Sequence, residues 1–123
     1  MLVVNNKTKI IKSDWLNFEV VLLDTQEKFD YFIERNQLGN EPIADDWKCA
    51  NGSCAIFDNE PEGLSYYVMV IRRKKLDTVV HECVHMVHMM MEKKGIPIDY
   101  DNTEVMAYMT GWLFKEIRKN LRK

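Results

Sequence analysis

The apolar positions change spacing along the chain, and each spacing predicts an element. Between Lys9 and Asp24 they gather in β-branched and aromatic runs, strongest over Phe18-Glu19-Val20-Val21-Leu22-Leu23, which predicts one bent strand or an extended pair. Asp24-Thr25-Gln26-Glu27 sets an acceptor side chain three residues ahead of a carboxylate. Phe29, Phe32 and Ile33 follow at helical spacing, so a first helix should end near Asn36 to Gly39. Asn40 to Trp47, with Pro42 and several acids, reads as a loop. Asn51-Gly52 is a tight-turn dipeptide flanked by Cys49 and Cys54. It predicts a hairpin in which Ser53 to Phe57 leave the turn and Asp58 to Gly63 form the next loop. Leu64 to Arg72 is a further β-rich run that delivers the chain to a long helical pattern.

That pattern runs from Thr78 to Lys94, with Asp77 as the expected N-cap, Gly95 as the stop and Pro97 just beyond. Val79, Val80, Cys83, Val84, Met86, Val87, Met90 and Met91 leave little polar face, so burial on most sides is expected. The polar stripe is His81, His85 and His88. Asp101-Asn102-Thr103 offers caps for a last helix to about Leu121, with Val105, Met106, Met109, Trp112, Leu113 and Ile117 as its apolar face. The methionines of these two helices are expected to pack the core between them.

Composition bounds the picture. With 123 residues, 46% hydrophobic and 29% charged, the chain reads as one domain of an ordinary globular type spanning 1–123. No apolar run approaches the roughly 18 residues of a membrane span, and none resembles a signal peptide, so a cytoplasmic location is expected. Three cysteines are an odd set and argue for reduced thiols, with Cys49 and Cys54 structural. Residues 24–62 hold ten acids against three bases, and residues 63–123 hold eleven bases against seven acids. The basic clusters Arg72-Arg73-Lys74-Lys75 and Lys115 to Lys123 are short and lack interleaved aromatic residues. They read as solvated faces or helix ends, and a nucleic-acid partner is not expected.

The chemistry lies in His81-Glu82-Cys83-Val84-His85. Residues four apart on a helix stand one turn above each other, so His81 and His85 can offer ring nitrogens to one metal ion. Glu82 projects about 100° around from His81, a placement that suits a general base acting on water beside the metal. His88 is two turns from His81, about 10 Å along the axis, which suits a supporting or rim residue better than a ligand. A small stripe on the last helix, Glu104, Ala107 and Gly111, predicts a close approach to the central helix that would bring the Glu104 carboxylate to the metal. Asp99, Asp101 and His88 are alternatives for the third ligand, and Asp101-x-x-Glu104 also fits a capping box.

The spacing His81-Glu82-x-x-His85, eighteen residues, then Glu104, resembles the gluzincin branch of zinc metallopeptidases. Residues 64–121 also resemble short zincin-like proteins of bacteriophage genomes, in which an HExxH helix is followed by a Glu-x-x-Ala-Tyr helix, here Glu104 to Tyr108. The metzincin branch would need glycine at 88 and histidine at 91, where this chain has His88 and Met91. The gluzincin resemblance implies a Zn2+ ion held by His81, His85 and Glu104, with Glu82 polarising the water that attacks a peptide carbonyl. Tyr108, or less readily Tyr66 or Tyr67, could supply an oxyanion donor. The strand over Leu64 to Arg72 could hold an extended peptide by strand addition.

These readings combine into an α+β fold of zincin-like type. It should have a small, mostly antiparallel sheet, three main helices with the HExxH helix at the centre, and a C-terminal helix carrying the third ligand. The expected function is a zinc-dependent metallopeptidase with a peptide or protein substrate. The alternative is an inactive zincin-like structural or binding protein, for example a phage virion or assembly component with protein partners, in which the metal stabilises the fold. A phage origin would place the chain in the host cytoplasm or the virion.

Overall fold

Strands β2 (Glu19–Leu23) and β4 (Leu64–Ile71) are apolar at nearly every position, and a strand of that kind must be covered on both faces. The computed structural model, which describes residues 2–14, 17–59 and 64–121, shows this arrangement. Four strands form one mixed sheet in the order β1-β2-β4-β3, where β1 is Lys9–Lys12 and β3 is Gly52–Asn59. The β1–β2 and β3–β4 pairs are antiparallel and β2–β4 is parallel. Helices α1 (Gln26–Arg35), α2 (Asp46–Cys49), α3 (Leu76–Lys93) and α4 (Thr103–Leu121) make the chain α+β. No helix among the described residues is long and apolar enough to cross a membrane.

Period-two alternation divides the core between the two faces. Val21, Leu23, Val68 and Val70 point to one side, where Phe29 and Phe32 of α1 and Ile43 pack on them. Val20, Leu22, Tyr67, Met69 and Ile71 point to the other. There they meet Val79, Cys83, Met86, Val87, Met90 and Met91 of α3 and Met109, Leu113 and Ile117 of α4. The helical methionines thus fill the space between sheet and helices, as an unbranched side chain can.

Several elements differ from the sequence reading, each for a local reason. Of the two alternatives for the stretch from Lys9, the extended pair is the one formed, β1 and β2 running antiparallel, with Trp15 and Leu16 of their connection outside the described residues. Thr25, rather than Asp24, caps α1 by accepting from Lys28 N–H, because Asp24 is engaged by the Lys28 ammonium at 2.8 Å. The expected loop at Asn40 to Trp47 contains a 3-10 turn, Pro42–Asp45, that runs into α2. Pro42 presets the first turn, Ile43 is buried, and Trp47 packs on Phe29 with ring centroids 5.7 Å apart.

Asn51-Gly52 does not turn a hairpin. Gly52 opens β3 opposite Ile71, and the Asn51 carbonyl accepts from the N–H groups of Arg72 and Arg73 beyond the end of β4. The hairpin is β3–β4, and most of the expected Asp58 to Gly63 loop, residues 60–63, lies outside the described residues. β4 is therefore an inner strand with both edges paired, and strand addition to it is excluded. Among the described residues the free edges belong to β1 and β3.

α3 begins at Leu76 with Lys75 as N-cap, so Asp77 lies in the first turn, where its carboxylate meets the Arg73 guanidinium at 2.7 Å. The helix ends as expected. Gly95 takes φ +73°, Ile96 N–H reaches the Met91 carbonyl, and the chain turns towards α4.

The exposed stripe on α4 overturns the close-approach expectation. Glu104, Ala107 and Gly111 all face outward, and a Cβ added to Gly111 would meet nothing within 4 Å. On a 100° step these positions lie opposite Met109 and Leu113, which α4 needs for the core. Leu113→Ala should lower stability by about 2–5 kcal/mol in denaturant unfolding, since the side chain is fully buried between α4 and the rest of the core. A loss below about 1 kcal/mol would contradict this docking of α4.

Candidate metal centre

α3 is amphipathic in an unusual way: one side is sunk in the core and the opposite side shows imidazoles. Met86, Val87 and Met90 turn inward, which leaves His81 and His85 exposed one turn apart. Their Nε2 atoms are 3.1 Å apart, with ring planes at 75°. Zinc–nitrogen bonds of about 2.0–2.1 Å in a tetrahedral set place two ligand nitrogens about 3.4 Å apart, a separation a few tenths of an ångström wider than this one. The observed separation suits an N–H···N hydrogen bond between the rings.

Glu82 is placed differently from both. It is 5% exposed, sunk between α3 and the edge strand β3, with Oε2 4.0 Å from His81 Nε2. The Cys54 thiol reaches the Glu82 carbonyl at 3.2 Å and Oε1 at 3.5 Å. Gly52 makes the room: a Cβ there would stand 2.7 Å from Glu82 Cγ and 3.2 Å from Cδ. Two depressions of about 310 and 320 Å3 share Gly52, His81 and Glu82. One continues to Arg73, Asp77 and Thr78, the other to Cys54, His85 and Met89, so a shallow groove runs along α3 beside the outer edge of β3.

Burial, followed by the Glu82 charge, raises the Cys54 thiol well above its ordinary range. The same two causes, in that order, push Cys83 up to about 12. At neutral pH both are uncharged thiols, and all three cysteines are free of disulfides. At the end of the groove, the hydrogen bond from Arg73 holds the Asp77 carboxyl below the usual range.

The structure thus brings together His81, Glu82 and His85. It does not bring Glu104 to them, and among the described residues no three His, Cys, Asp or Glu side chains are gathered as a metal-holding group. Met106 of α4 meets α3, its Sδ 3.0 Å from His88 Nε2. Glu104, two residues earlier, projects about 160° around the helix from it. Tyr108 shares that outward face and is 62% exposed. Tyr67 is a core residue stacked edge-on to Phe18 at 5.0 Å, and Tyr66 lines a separate depression with Asn36 and Phe57. Asp99 and Asp101 are exposed near the start of α4, where Asp99 accepts from Asn102.

Sequence reasoning missed Gly52 and Cys54, reading one as a turn and the other as structural. Their signal was slight, a glycine at the start of a strand, which often marks close approach of another group.

Thiol labelling tests this burial pattern. At pH 8 an alkylating reagent should modify exposed Cys49 first, with Cys54 and Cys83 far slower by peptide mass spectrometry. Cys54 labelled as fast as Cys49 would contradict the contact with Glu82.

No protein-family model matches this chain, and neither curated proteins nor solved structures give a match.

Proposed function

We propose that the chain is a zinc-dependent metallopeptidase of zincin-like fold, acting in the cytoplasm on a peptide or protein substrate. The observation that carries the reading is the convergence of His81 and His85 nitrogens at 3.1 Å beside a sunken Glu82 carboxylate. Two imidazoles one helical turn apart are a borderline-soft donor pair suited to zinc. When bound there, zinc supplies a Lewis acid and makes water more acidic.

The chain's own residues divide the remaining work. Glu82 accepts the proton from the attacking water and returns it to the departing amine, the role of a general base that then acts as an acid. The outer edge of β3 is unpaired within the sheet and borders the groove, so it can hold an extended peptide through its backbone N–H and C=O groups. This reading moves the substrate strand from β4 to β3. Glu104 is its third ligand on the strength of the HExxH-x18-Glu resemblance, and because Glu104 faces outward, its ligation requires the first turn of α4 to move. Tyr108, the oxyanion donor of this reading, lies on the same outward face in the next turn, so that turn would have to move as well.

A second reading is favoured by one observation, the lack of a gathered third ligand among the described residues. In it the chain is an inactive zincin-like binding or structural protein, of the kind a phage assembly would use. Glu82→Gln separates the two. On zinc-loaded protein, the peptidase reading expects peptide hydrolysis, followed by mass spectrometry, to fall at least about 100-fold while bound zinc is retained. Equal hydrolysis by the variant would remove Glu82 from the chemistry, and no hydrolysis by the natural chain would leave the binding reading.

A further inference from the structure

We propose that Cys54 and Gly52 of β3 are positioning residues for Glu82, the thiol holding Oε1 and the glycine backbone walling the side chain so that Oε2 stays on the His81 side. The inference rests on the reading of Glu82 as the proton acceptor, but it concerns the carboxylate itself and can be tested without metal or substrate.

A glutamate on an open helix face samples several rotamers, and each sampled geometry away from the reacting atoms lowers the rate. Here two features of one edge strand remove that freedom. The backbone at Gly52 comes so close that a Cβ would stand 2.7 Å from Glu82 Cγ, which closes the space on that side. Two residues on, with the side chain on the same face of the strand, the Cys54 sulfur stands 3.5 Å from Oε1 and 3.2 Å from the Glu82 carbonyl. A thiol that stays protonated is a weak neutral donor, and its one proton is shared between the Glu82 carbonyl, the nearer acceptor, and Oε1. It marks one oxygen without neutralising the carboxylate, as Lys or Arg in that position would. The two carboxylate oxygens therefore differ: Oε1 faces the thiol, and Oε2 lies 4.0 Å from His81 Nε2. A proton acceptor needs this asymmetry, one oxygen held and the other open.

Cys54 also packs against the core, so a purely space-filling role is the competing account. The two accounts separate in carboxyl-labelled metal-free protein, with the Glu82 13C resonance assigned by Glu82→Gln. Cys54→Ala should shift and broaden this resonance, and Cys54→Ser, which restores a donor, should bring it back. In the zinc-loaded protein Cys54→Ala should lower kcat about threefold to tenfold, with KM and zinc content unchanged and Cys54→Ser recovering the rate. A Glu82 resonance in Cys54→Ala identical to that of the natural chain would overturn the proposal, as would a shift that serine fails to reverse. If the natural chain cleaves no peptide, the peptidase reading fails, while the carboxyl resonance still decides whether Cys54 positions Glu82.

Discussion

A strand buried on both faces needs a layer of helices on each, and β4 imposes that requirement here. Val68 and Val70 bury against α1 and its neighbours, whereas Tyr67, Met69 and Ile71 bury against α3 and α4. Since the chain leaves β4 at Ile71 and enters α3 at Leu76, the central helix is laid across the sheet face that its own preceding strand helps to build. Its burial determines which residues remain outside. Cys83, Met86, Val87 and Met90 are drawn into the core, and the imidazoles of His81 and His85 are left on the opposite side.

Glu82 is the residue for which this arrangement has chemical consequences. About 100° from His81 on the helix, it falls neither in the core nor in open water but against the edge strand β3. A carboxylate in that position needs room and a donor, which Gly52 and Cys54 supply. The groove, the edge of β3 and the imidazole pair then meet at one place. Val80 and Val84, expected in the core, are 44% and 38% exposed and flank the imidazoles as an apolar border.

Much of this was legible in the sequence, and the exceptions are instructive. The β-branched and aromatic runs Phe18 to Leu23 and Leu64 to Ile71, the helical spacing of Phe29 and Phe32, and the apolar face of α4 all gave their elements directly, since local composition and periodic burial leave a record in the chain. The histidine pair was legible for the same reason. What was not legible depended on partners distant in sequence. Asn51-Gly52 carries the signal of a tight turn, but its carbonyl is claimed by the start of the Arg72-Arg73 segment and its missing Cβ by Glu82, thirty residues on. The stripe Glu104, Ala107 and Gly111 has the small residues of a close helix contact, yet the larger apolar stripe opposite it decides which face of α4 is buried. Strand order was likewise unreadable: nothing within Leu64 to Arg72 says that both its edges are paired.

If the α3 surface is to hold one metal ion through His81 and His85, calorimetric titration of zinc into metal-free protein should give one zinc per chain for the natural sequence, with binding lost or weakened at least about tenfold in both His81→Ala and His85→Ala. Absence of binding by the natural chain, or binding that neither substitution disturbs, would contradict a metal site on these two imidazoles.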